Sequence, residues 1–283
     1  MLPLRRKRSW KRRVAEAART APQRGRELRA AAAQLDVPWA RSRIAGLARE
    51  NFMRFVLNPI MGFYAARRAT GRDRLASLKG PVILVANHAS HMDTPVILSA
   101  LPRRLRKRTV VAAAADYFYK NRFTAWLVSL IFNTTPIDRQ GGGGVSKNGS
   151  HLDQLLDQGW NLLLYPEGTR SRSGSPGRIR RGAAVLAAAH DLKIVPIRVT
   201  GTREAMPPGR IWPKRLRARP VSKRHRITVS FGEPITPTGD TGELIESVRR
   251  FFEDAGSSGS GPYRSPYVKR GEKRAPASGK RDG

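Results

Sequence analysis

The sequence predicts an α/β fold: a mainly parallel mixed sheet flanked by helices, with an N-terminal amphipathic helical pair. Two short apolar runs, at residues 81–86 and 161–165, have the composition of strands that are buried on both faces. Segments with helical spacing or helix-capping residues separate these runs from each other and from later strand candidates. Strands that alternate with helices are typical of a layered α/β domain.

The helical pair is predicted at residues 40–70. Apolar side chains recur at helical spacing from Ile44 to Val56, and arginines occupy the other faces of this helix. Pro59 is expected to break the helix, and residues 60–68 are expected to resume it. The α/β core is then predicted at residues 71–255, so that the domain as a whole spans residues 40–255.

Strands and helices of the core are expected to follow one another along the chain. After the strand at 81–86, Thr94 and Pro95 provide an N-cap and a first-turn proline for a helix that runs to Leu101. Further strands are expected at residues 110–113, 161–165, 194–200 and 227–231. Further helices are expected at residues 123–132, 150–158, 182–190 and 242–252.

The chain is strongly basic, with 54 Lys and Arg against 21 Asp and Glu and a net charge of +33. Such an excess predicts an anionic partner, which would be nucleic acid, an anionic membrane surface or a phosphorylated substrate. Residues 1–50, 203–226 and 256–283 hold 23 of these excess charges. Residues 1–39 are therefore predicted to be a basic flexible tail, and residues 256–283, which have few aliphatic side chains, a disordered basic tail.

Several classes of protein are excluded or disfavoured by composition. The chain has no cysteine, which excludes disulfides, thiolate metal sites and an acyl-cysteine intermediate. The basic start is not followed by the apolar stretch of a secretory signal. The longest uncharged run, residues 123–137, is shorter than the roughly 20 apolar residues of a spanning helix. Any membrane association is therefore expected to be peripheral, on the cytoplasmic face.

A histidine and a carboxylate follow the first buried strand. His88 stands where parallel α/β sheets bind ligands, beyond the carboxyl end of a strand. A turn would bring Asp93 to one imidazole nitrogen, which fixes the tautomer and leaves the other nitrogen as a base. The alternative is that Asp93 only caps the next helix and His88 is an ordinary loop residue. A zinc site that includes His91 fits no familiar ligand spacing, and no metal site is predicted.

A second polar segment, residues 165–171, follows the strand at 161–165 and is expected at the same edge of the sheet. Gly168 permits a tight turn with exposed backbone N–H groups, and the guanidinium of Arg170 suits a phosphate. Glu167 would orient that arginine or a hydroxyl group. Two further segments, residues 135–139 and 194–197, are uninformative when each is taken alone.

Together and in this order, the four segments resemble the glycerolipid acyltransferase family typified by lysophosphatidic acid acyltransferase. The family pattern N-H-x-S-x-x-D is matched at residues 87–93, and the pattern F-P-E-G-T-R-S at residues 165–171 except for Tyr165. Residues 137–139 and 195–197 match the second and fourth blocks of the family. The small residue that the family carries ahead of its second block has no clear counterpart near Asn133 and Thr134.

The resemblance implies an O-acyltransferase that forms phosphatidic acid from 1-acylglycerol 3-phosphate, with acyl-CoA or acyl carrier protein as co-substrate and no other cofactor. His88 would be the general base and Asp93 would orient it. The acceptor site is implied by the family pattern at a set of residues that comprises Arg139, Glu167, Gly168, Thr169 and Arg170. Arg180 or Arg181 would add positive charge to that site.

Other functions stay open at this stage. One alternative is an acyltransferase of the same family whose acceptor is glycerol 3-phosphate, another lysophospholipid or a glycolipid. A basic nucleic-acid-binding protein is the alternative from another class, although no specific nucleic acid is expected because no known nucleic-acid-binding motif is present. Trp39, Phe52, Phe55 and Phe63 are expected either to enter a membrane interface or to pack on the sheet.

Overall fold

Seven strands of the described residues form one mixed sheet. The computed structural model describes residues 37–114, 122–137, 151–171, 179–210, 212–215 and 223–257. The strands are β1 (Ala65–Thr70), β2 (Ile83–Ala86), β3 (Thr109–Ala114), β4 (Thr134–Ile137), β5 (Asn161–Leu164), β6 (Ile194–Thr200) and β7 (His225–Phe231).

The strand order in the sheet is β1-β7-β6-β2-β5-β3-β4. All neighbours pair in parallel except β6 and β7, which are antiparallel. The five strands from β6 to β4 therefore run in one direction, and β7 and β1 run in the other. This mainly parallel mixed sheet, flanked by helices, confirms the predicted fold class.

Nine helices accompany the strands in the part of the chain that the structure describes. They are α1 (Arg43–Phe52), α2 (Asn58–Tyr64), α3 (Asp93–Ala100), α4 (Arg103–Lys107), α5 (Arg122–Phe132), α6 (His151–Asp157), α7 (Gly182–Ala189), α8 (Thr202–Ala205) and α9 (Thr241–Ser257). A π turn, Met53–Leu57, joins α1 to α2, and two short 3-10 turns lie at Pro38–Arg41 and Asp73–Leu75.

The sheet separates two hydrophobic layers. Leu84 and Ala86 of β2 join the layer that contains α3, whereas Ile83 and Val85 of the same strand join the layer that contains α6, α7 and α9. This division follows from the period of two along a strand, which sends successive side chains to opposite faces. All four residues of β2 are buried, as expected for a central parallel strand.

The N-terminal segment differs from the predicted helical pair. Pro59 does not break the helix, because it stands in the first turn of α2, directly after the π turn, where a proline is tolerated. The helical run continues only to Tyr64, and residues 65–70 form the edge strand β1 instead of extending the helix to residue 68. Parallel pairing with β7 from Ala65 to Thr70 supplies the hydrogen bonds that favour a strand here.

Other boundaries shift by a few residues, and four short elements were not predicted. The helix after β2 begins at Asp93, so Thr94 lies inside it and does not cap it. The unpredicted elements are β1, β4, α4 and α8. Of the predicted tails, only residues 37–39, at the start of the first 3-10 turn, and residues 256–257, at the end of α9, belong to the described residues.

Candidate active site

The candidate site lies at the carboxyl ends of three neighbouring parallel strands, β6, β2 and β5. The polar segments that follow β2 and β5 were both predicted at this edge of the sheet. The segment after β6, which begins with Gly201, lies beside them and was not singled out in the sequence. Ligands of open α/β sheets bind in such a crevice.

His88 and Asp93 form a hydrogen-bonded pair. The distance from His88 Nδ1 to Asp93 Oδ2 is 2.8 Å, the Asp93 side chain is 0% exposed and the His88 side chain is 18% exposed. Because an ionised carboxylate only accepts hydrogen bonds, Nδ1 is the donor in this contact, and in the neutral imidazole Nε2 then keeps its lone pair. Nε2 has no hydrogen-bond partner within the described residues, so a partly exposed base faces the crevice.

Asp93 also organises the loop that carries His88. Its Oδ2 atom accepts hydrogen bonds from the backbone N–H groups of Ala89 at 2.7 Å and Ser90 at 2.8 Å, and its Oδ1 atom accepts one from Thr202 Oγ1 at 2.5 Å. Asp93 is the first residue of α3, where a negative charge is favoured by the helix dipole. Asp93 therefore both stabilises the loop before α3 and holds the His88 imidazole, so its structural role and its role in orienting His88 do not exclude each other.

Asn87 and Ser90 fix the two ends of this loop to β6 and its following segment. The Asn87 amide donates to Val199 O at 3.0 Å and accepts from Val199 N at 2.7 Å. Ser90 Oγ donates to Met206 O at 2.7 Å and accepts from Met92 N at 3.1 Å. The Asn and the Ser of the N-H-x-S-x-x-D pattern therefore position His88 by holding the backbone of its loop.

The segment after β5 holds the backbone of His88 from the other side. Glu167 Oε1 accepts a hydrogen bond from His88 N at 3.0 Å, and Ser171 N donates to His88 O at 2.7 Å. Glu167 is only 8% exposed. The structure thus shows Glu167 bracing the histidine loop, and its predicted contact with substrate stays a prediction.

Tyr165 packs directly on the imidazole. The two rings stack with centroids 4.2 Å apart and planes 25° apart, and the Tyr165 hydroxyl forms a 2.7 Å hydrogen bond with Thr94 Oγ1. Burial and the nearby Asp93 charge raise the pKa of the Tyr165 hydroxyl, so this group stays neutral. Tyrosine therefore keeps the aromatic wall that phenylalanine provides in the family pattern and adds a link between β5 and α3.

Two arginines, Arg180 and Arg203, contact or approach the loop at residues 165–171, which itself contains Arg170. Gly168 has φ +70°, and a Cβ atom built there would lie 3.0 Å from Arg180 Cζ. Arg203 Nη1 donates to Ser171 O at 2.8 Å. Arg170 belongs to the loop itself, and burial, followed by the charge of Arg170, lowers the pKa of His91 to about 4. This corner of the site is cationic, as a phosphate-binding site requires.

Of the predicted acceptor-site residues, Glu167 contacts the His88 backbone, and Gly168, Thr169 and Arg170 follow it on the same loop, where Thr169 is exposed. Arg139 lies outside the described residues. The sequence reasoning missed Thr202 and Arg203. The only feature of the sequence that points to them is Gly201, which marks a tight turn at the end of β6. Gly201 has φ +83° and approaches Arg226 O so closely that no side chain would fit.

Asn133 stands in the region where the family's small residue ahead of the second block had no clear counterpart. It has φ +54°, a left-handed conformation that glycine adopts freely and asparagine tolerates. Its Nδ2 atom donates to Thr109 O at 2.9 Å, which ties the end of α5 to the start of β3. Among the described residues, no group of three or more His, Cys, Asp or Glu side chains is placed to hold a metal ion.

Comparison with known proteins gives concordant matches. A family profile described as Acyltransferase matches residues 66–200, a range that contains His88, Asp93 and the loop after β5. A probable 1-acyl-sn-glycerol-3-phosphate acyltransferase of Mycoplasma genitalium is 28% identical over 186 residues, which are 64% of this chain and 67% of that protein. The human 1-acyl-sn-glycerol-3-phosphate acyltransferase alpha is 34% identical over 121 residues, which are 41% of this chain and 40% of that protein.

A chloroplastic 1-acyl-sn-glycerol-3-phosphate acyltransferase of Arabidopsis thaliana is 30% identical over 49% of this chain and 37% of its own length. The chain thus spans about two thirds of the Mycoplasma relative and about two fifths of the plant and human relatives. The crystal structure of the 1-acyl-sn-glycerophosphate acyltransferase from Thermotoga maritima has the same fold, with a TM-score of 0.51 and 21% identity over 75% of this chain and 85% of that chain. With its motifs in order at one sheet edge, this chain is similar to 1-acylglycerol-3-phosphate acyltransferases, and residues 66–200 match the acyltransferase family profile.

Proposed function

We propose that this protein transfers an acyl group from a thioester to the free hydroxyl of 1-acylglycerol 3-phosphate and so makes phosphatidic acid for phospholipid synthesis. The observation that carries the proposal is the His88–Asp93 pair, with a fully buried carboxylate, beside a loop lined by arginines. The relatives named above add support, because their names give the same acceptor.

The proposed reaction is direct attack without an acyl-enzyme. The acceptor hydroxyl attacks the thioester carbonyl carbon while His88 Nε2 removes the hydroxyl proton. The tetrahedral intermediate collapses, the C–S bond breaks, and the thiolate takes the proton from the imidazolium. Asp93 stabilises the imidazolium that exists between these two proton transfers. The alcohol is the weak partner in this reaction, so the most important catalytic contribution is removal of its proton by His88.

The acceptor phosphate is proposed to bind to the cationic corner of the site. Arg170 and Arg139 are the family's phosphate ligands by resemblance, and the positions of Arg180 and Arg203 support two further contributions. Two or more guanidinium groups that grip one phosphate fix the hydroxyl relative to His88. The donor is proposed to be acyl-CoA or acyl carrier protein, with no additional cofactor.

The test is transfer of labelled acyl groups from acyl-CoA, and separately from acyl carrier protein, to a panel of acceptors. We expect label in phosphatidic acid when 1-acylglycerol 3-phosphate is supplied. Arg170→Gln should raise the KM for this acceptor at least about tenfold, because a charge-assisted contact to phosphate is lost. Arg250→Gln, an exposed change on α9, is the matched control and should leave KM unchanged.

The outcomes separate the alternatives. Label that appears only with glycerol 3-phosphate, another lysophospholipid or a glycolipid would keep the chemistry and replace the acceptor. No transfer from either donor to any acceptor would contradict the proposal. The comparisons give no support to the nucleic-acid-binding alternative.

Gly168→Ala is expected to weaken acceptor binding through the neighbouring arginine. The new methyl group would meet the Arg180 guanidinium at about 3.0 Å and force it away from the loop. Gly159→Ala is the matched control, because Gly159 has φ +80° and no atom within 4 Å of an added Cβ. Both variants should lose about 1–2 kcal/mol of stability from backbone strain, but only Gly168→Ala should raise the acceptor KM. Equal KM values for the two variants would contradict the assigned contact.

We further infer that the protein works peripherally on an anionic membrane surface, where its amphiphilic substrates reside. The support is an apolar surface formed by α1, α5 and the turn before α1, whose exposed side chains are Trp39, Ile44, Leu47, Phe123, Trp126 and Leu127. Trp39 and Trp126 lie 5.7 Å apart between ring centroids. Within the described ranges, no helix is both long and apolar enough to cross a bilayer. The cytoplasmic face stays a prediction.

The aromatic residues considered in the sequence divide between the two expected roles. Trp39, Phe55 and Phe63 are exposed by 39%, 65% and 56%, whereas Phe52 is half-buried. Arg49 fixes α1 to α5, since its guanidinium donates to Leu130 O at 2.9 Å and to Ala40 O at 2.6 Å. Trp39 therefore stands on a braced scaffold, which together with its exposure favours the membrane-interface role for this ring.

Removing aromatic area from the apolar surface should weaken binding to anionic vesicles. Phe123→Ser/Trp126→Ser should reduce partitioning at least about tenfold, because burial of these rings stabilises the bound state. The control is Phe123→Leu/Trp126→Leu, which keeps the same sites apolar. Vesicle flotation measures both variants. Unchanged flotation of the serine variant would remove this surface from the membrane contact.

A further inference from the structure

A basic groove lies away from the histidine, along the edge strand β1. It has a volume of about 550 Å³ and is bounded by α2, by the strand itself and by the second half of α3. Four arginines line it: Arg67 and Arg68 of β1, Arg72 after the strand and Arg224 before β7. We call it the edge groove. A cavity of this size is sufficient for a small-molecule ligand.

The edge groove is separate from the site around His88. β1 and β2 are three steps apart in the sheet order, which corresponds to about 14 Å between the strands. Ser99, which borders the groove, is six residues further along α3 than Asp93, or about 9 Å along the helix axis. A ligand in the groove would therefore not occupy the space beside the His88 imidazole.

Arg67 forms more hydrogen bonds to other described residues than the other arginines of the groove. Its Nη1 atom donates to Asn58 Oδ1 at 2.9 Å and to Ser99 Oγ at 3.2 Å, and its Nη2 atom donates to Asn58 O at 3.3 Å. These contacts hold the guanidinium in place between α2 and α3. All three acceptors are neutral, so they orient the positive charge without compensating it.

The charge of the groove has no counter-ion within the described residues. None of the four arginines forms an ion pair there, and burial alone lowers the pKa of Arg67. A half-buried cation without an anionic partner, as Arg67 is, is costly in protein structures. A bound anion would supply the missing partner.

The shape of the groove leaves room for that anion. Its other lining residues are mostly small, namely Gly62, Ala65, Ala66, Ala69 and Ala100. Small side chains next to long guanidinium groups form a concave surface with fork-shaped donors at its rim, which suits the oxygens of a phosphate.

We propose that the edge groove binds the phosphate of an anionic phospholipid headgroup that stays in the bilayer. The inference rests on the proposed membrane association and adds a defined lipid site to it. The lipid source is favoured over a soluble phosphate because the segment that borders the groove exposes Phe55 and Phe63. The Arg215 guanidinium lies 4.7 Å from the Phe63 ring centroid, and the Trp212 indole donates to the Tyr64 hydroxyl at 2.8 Å. Exposed aromatic rings beside cations are typical of the headgroup level of a membrane.

The probe that tests this site is dioctanoyl phosphatidylglycerol below its micelle concentration, because this lipid is neither acceptor nor product of the proposed reaction. Titration calorimetry with the full chain should show saturable binding. Arg68→Gln/Arg72→Gln should weaken it at least about tenfold, and so should Arg67→Gln. Arg68 and Arg72 are exposed, so their replacement should not disturb folding. The control is Arg249→Gln/Arg250→Gln, which removes the same charge from α9 on the other face of the sheet and should leave the affinity unchanged.

Two competition arms identify the source of the phosphate. Inorganic phosphate that binds as tightly as the lipid, or coenzyme A that displaces the lipid, would overturn the lipid assignment. Equal weakening by the groove and control variants would show only diffuse charge attraction and would also overturn it. Acyl transfer in detergent is measured in parallel. Groove binding without transfer would count against the proposed function alone, and transfer without groove binding would count against this inference alone.

Discussion

Replacing His88 with alanine should lower kcat for acyl transfer by a factor of about 10²–10⁴, the usual contribution of a general base. The acceptor hydroxyl is not ionised at neutral pH, so without Nε2 its proton must leave to water. Binding of the acceptor should change little, because the arginine-lined loop stays in place. The measurement is steady-state kinetics with 1-acylglycerol 3-phosphate as the acceptor, beside thermal unfolding of the variant.

Folding should survive this change, because Asp93 keeps its hydrogen bonds to Ala89, Ser90 and Thr202. His91→Ala is the matched control on the same loop. Burial and the charges of Arg170 and His88 lower the pKa of His91 to about 4, so this side chain is uncharged at pH 7. A kcat near the wild-type value for His88→Ala, or an equal loss for His91→Ala, would contradict the assignment of His88.

Asp93→Asn should affect both stability and activity. The amide has one accepting oxygen where the carboxylate has two, so at least one of the buried donors that converge on Asp93 would lose its acceptor. We expect the free energy of unfolding to fall by about 1–3 kcal/mol. If the new side-chain amide donates to His88 Nδ1, the proton moves to Nε2 and the base is blocked. A loss of at least about 100-fold in kcat should follow.

Thr202→Val separates these two effects. It removes the hydrogen bond to Asp93 Oδ1 and leaves the contact between Asp93 and His88 intact. We expect a loss of about 1 kcal/mol in urea unfolding, with most of kcat retained. A variant Asp93→Asn that unfolds like the wild type and keeps its kcat would exclude both roles of the carboxylate. An equal kcat loss in Thr202→Val would assign the effect to loop stability instead.

The part of the site around His88 could be predicted from the sequence, because the two segments that form it directly follow buried parallel strands. The apolar runs that end at Ala86 and Leu164 are recognisable as central strands, and the segments after such strands meet at one edge of a sheet. Thr202 and Arg203 follow a third strand of the same kind. Thr202 and Arg203 match no sequence pattern. That β6, the strand before them, lies beside β2 is known only from the strand order of the sheet.

The N-terminal strand was beyond prediction for a different reason. Residues 65–70 are alanines, arginines and a threonine, which carry neither the apolar content nor the alternation of a buried strand. Their conformation is decided by the backbone of β7, which lies about 160 positions later in the chain. The arginines that make the edge groove basic also hide the strand from sequence analysis.

Because β1 pairs with β7, the sheet can be completed only late in synthesis. β1 is made early, yet its only partner in the sheet order, β7, leaves the ribosome after β2 to β6 have all been made. Until then β6 and β1 both expose unpaired backbone edges, and the segment that leads into β1 exposes the rings of Phe55 and Phe63. Contacts with such sequence separation form slowly and favour aggregation of incomplete chains. Nascent or truncated forms that end before His225 are therefore expected to be the species that need a chaperone.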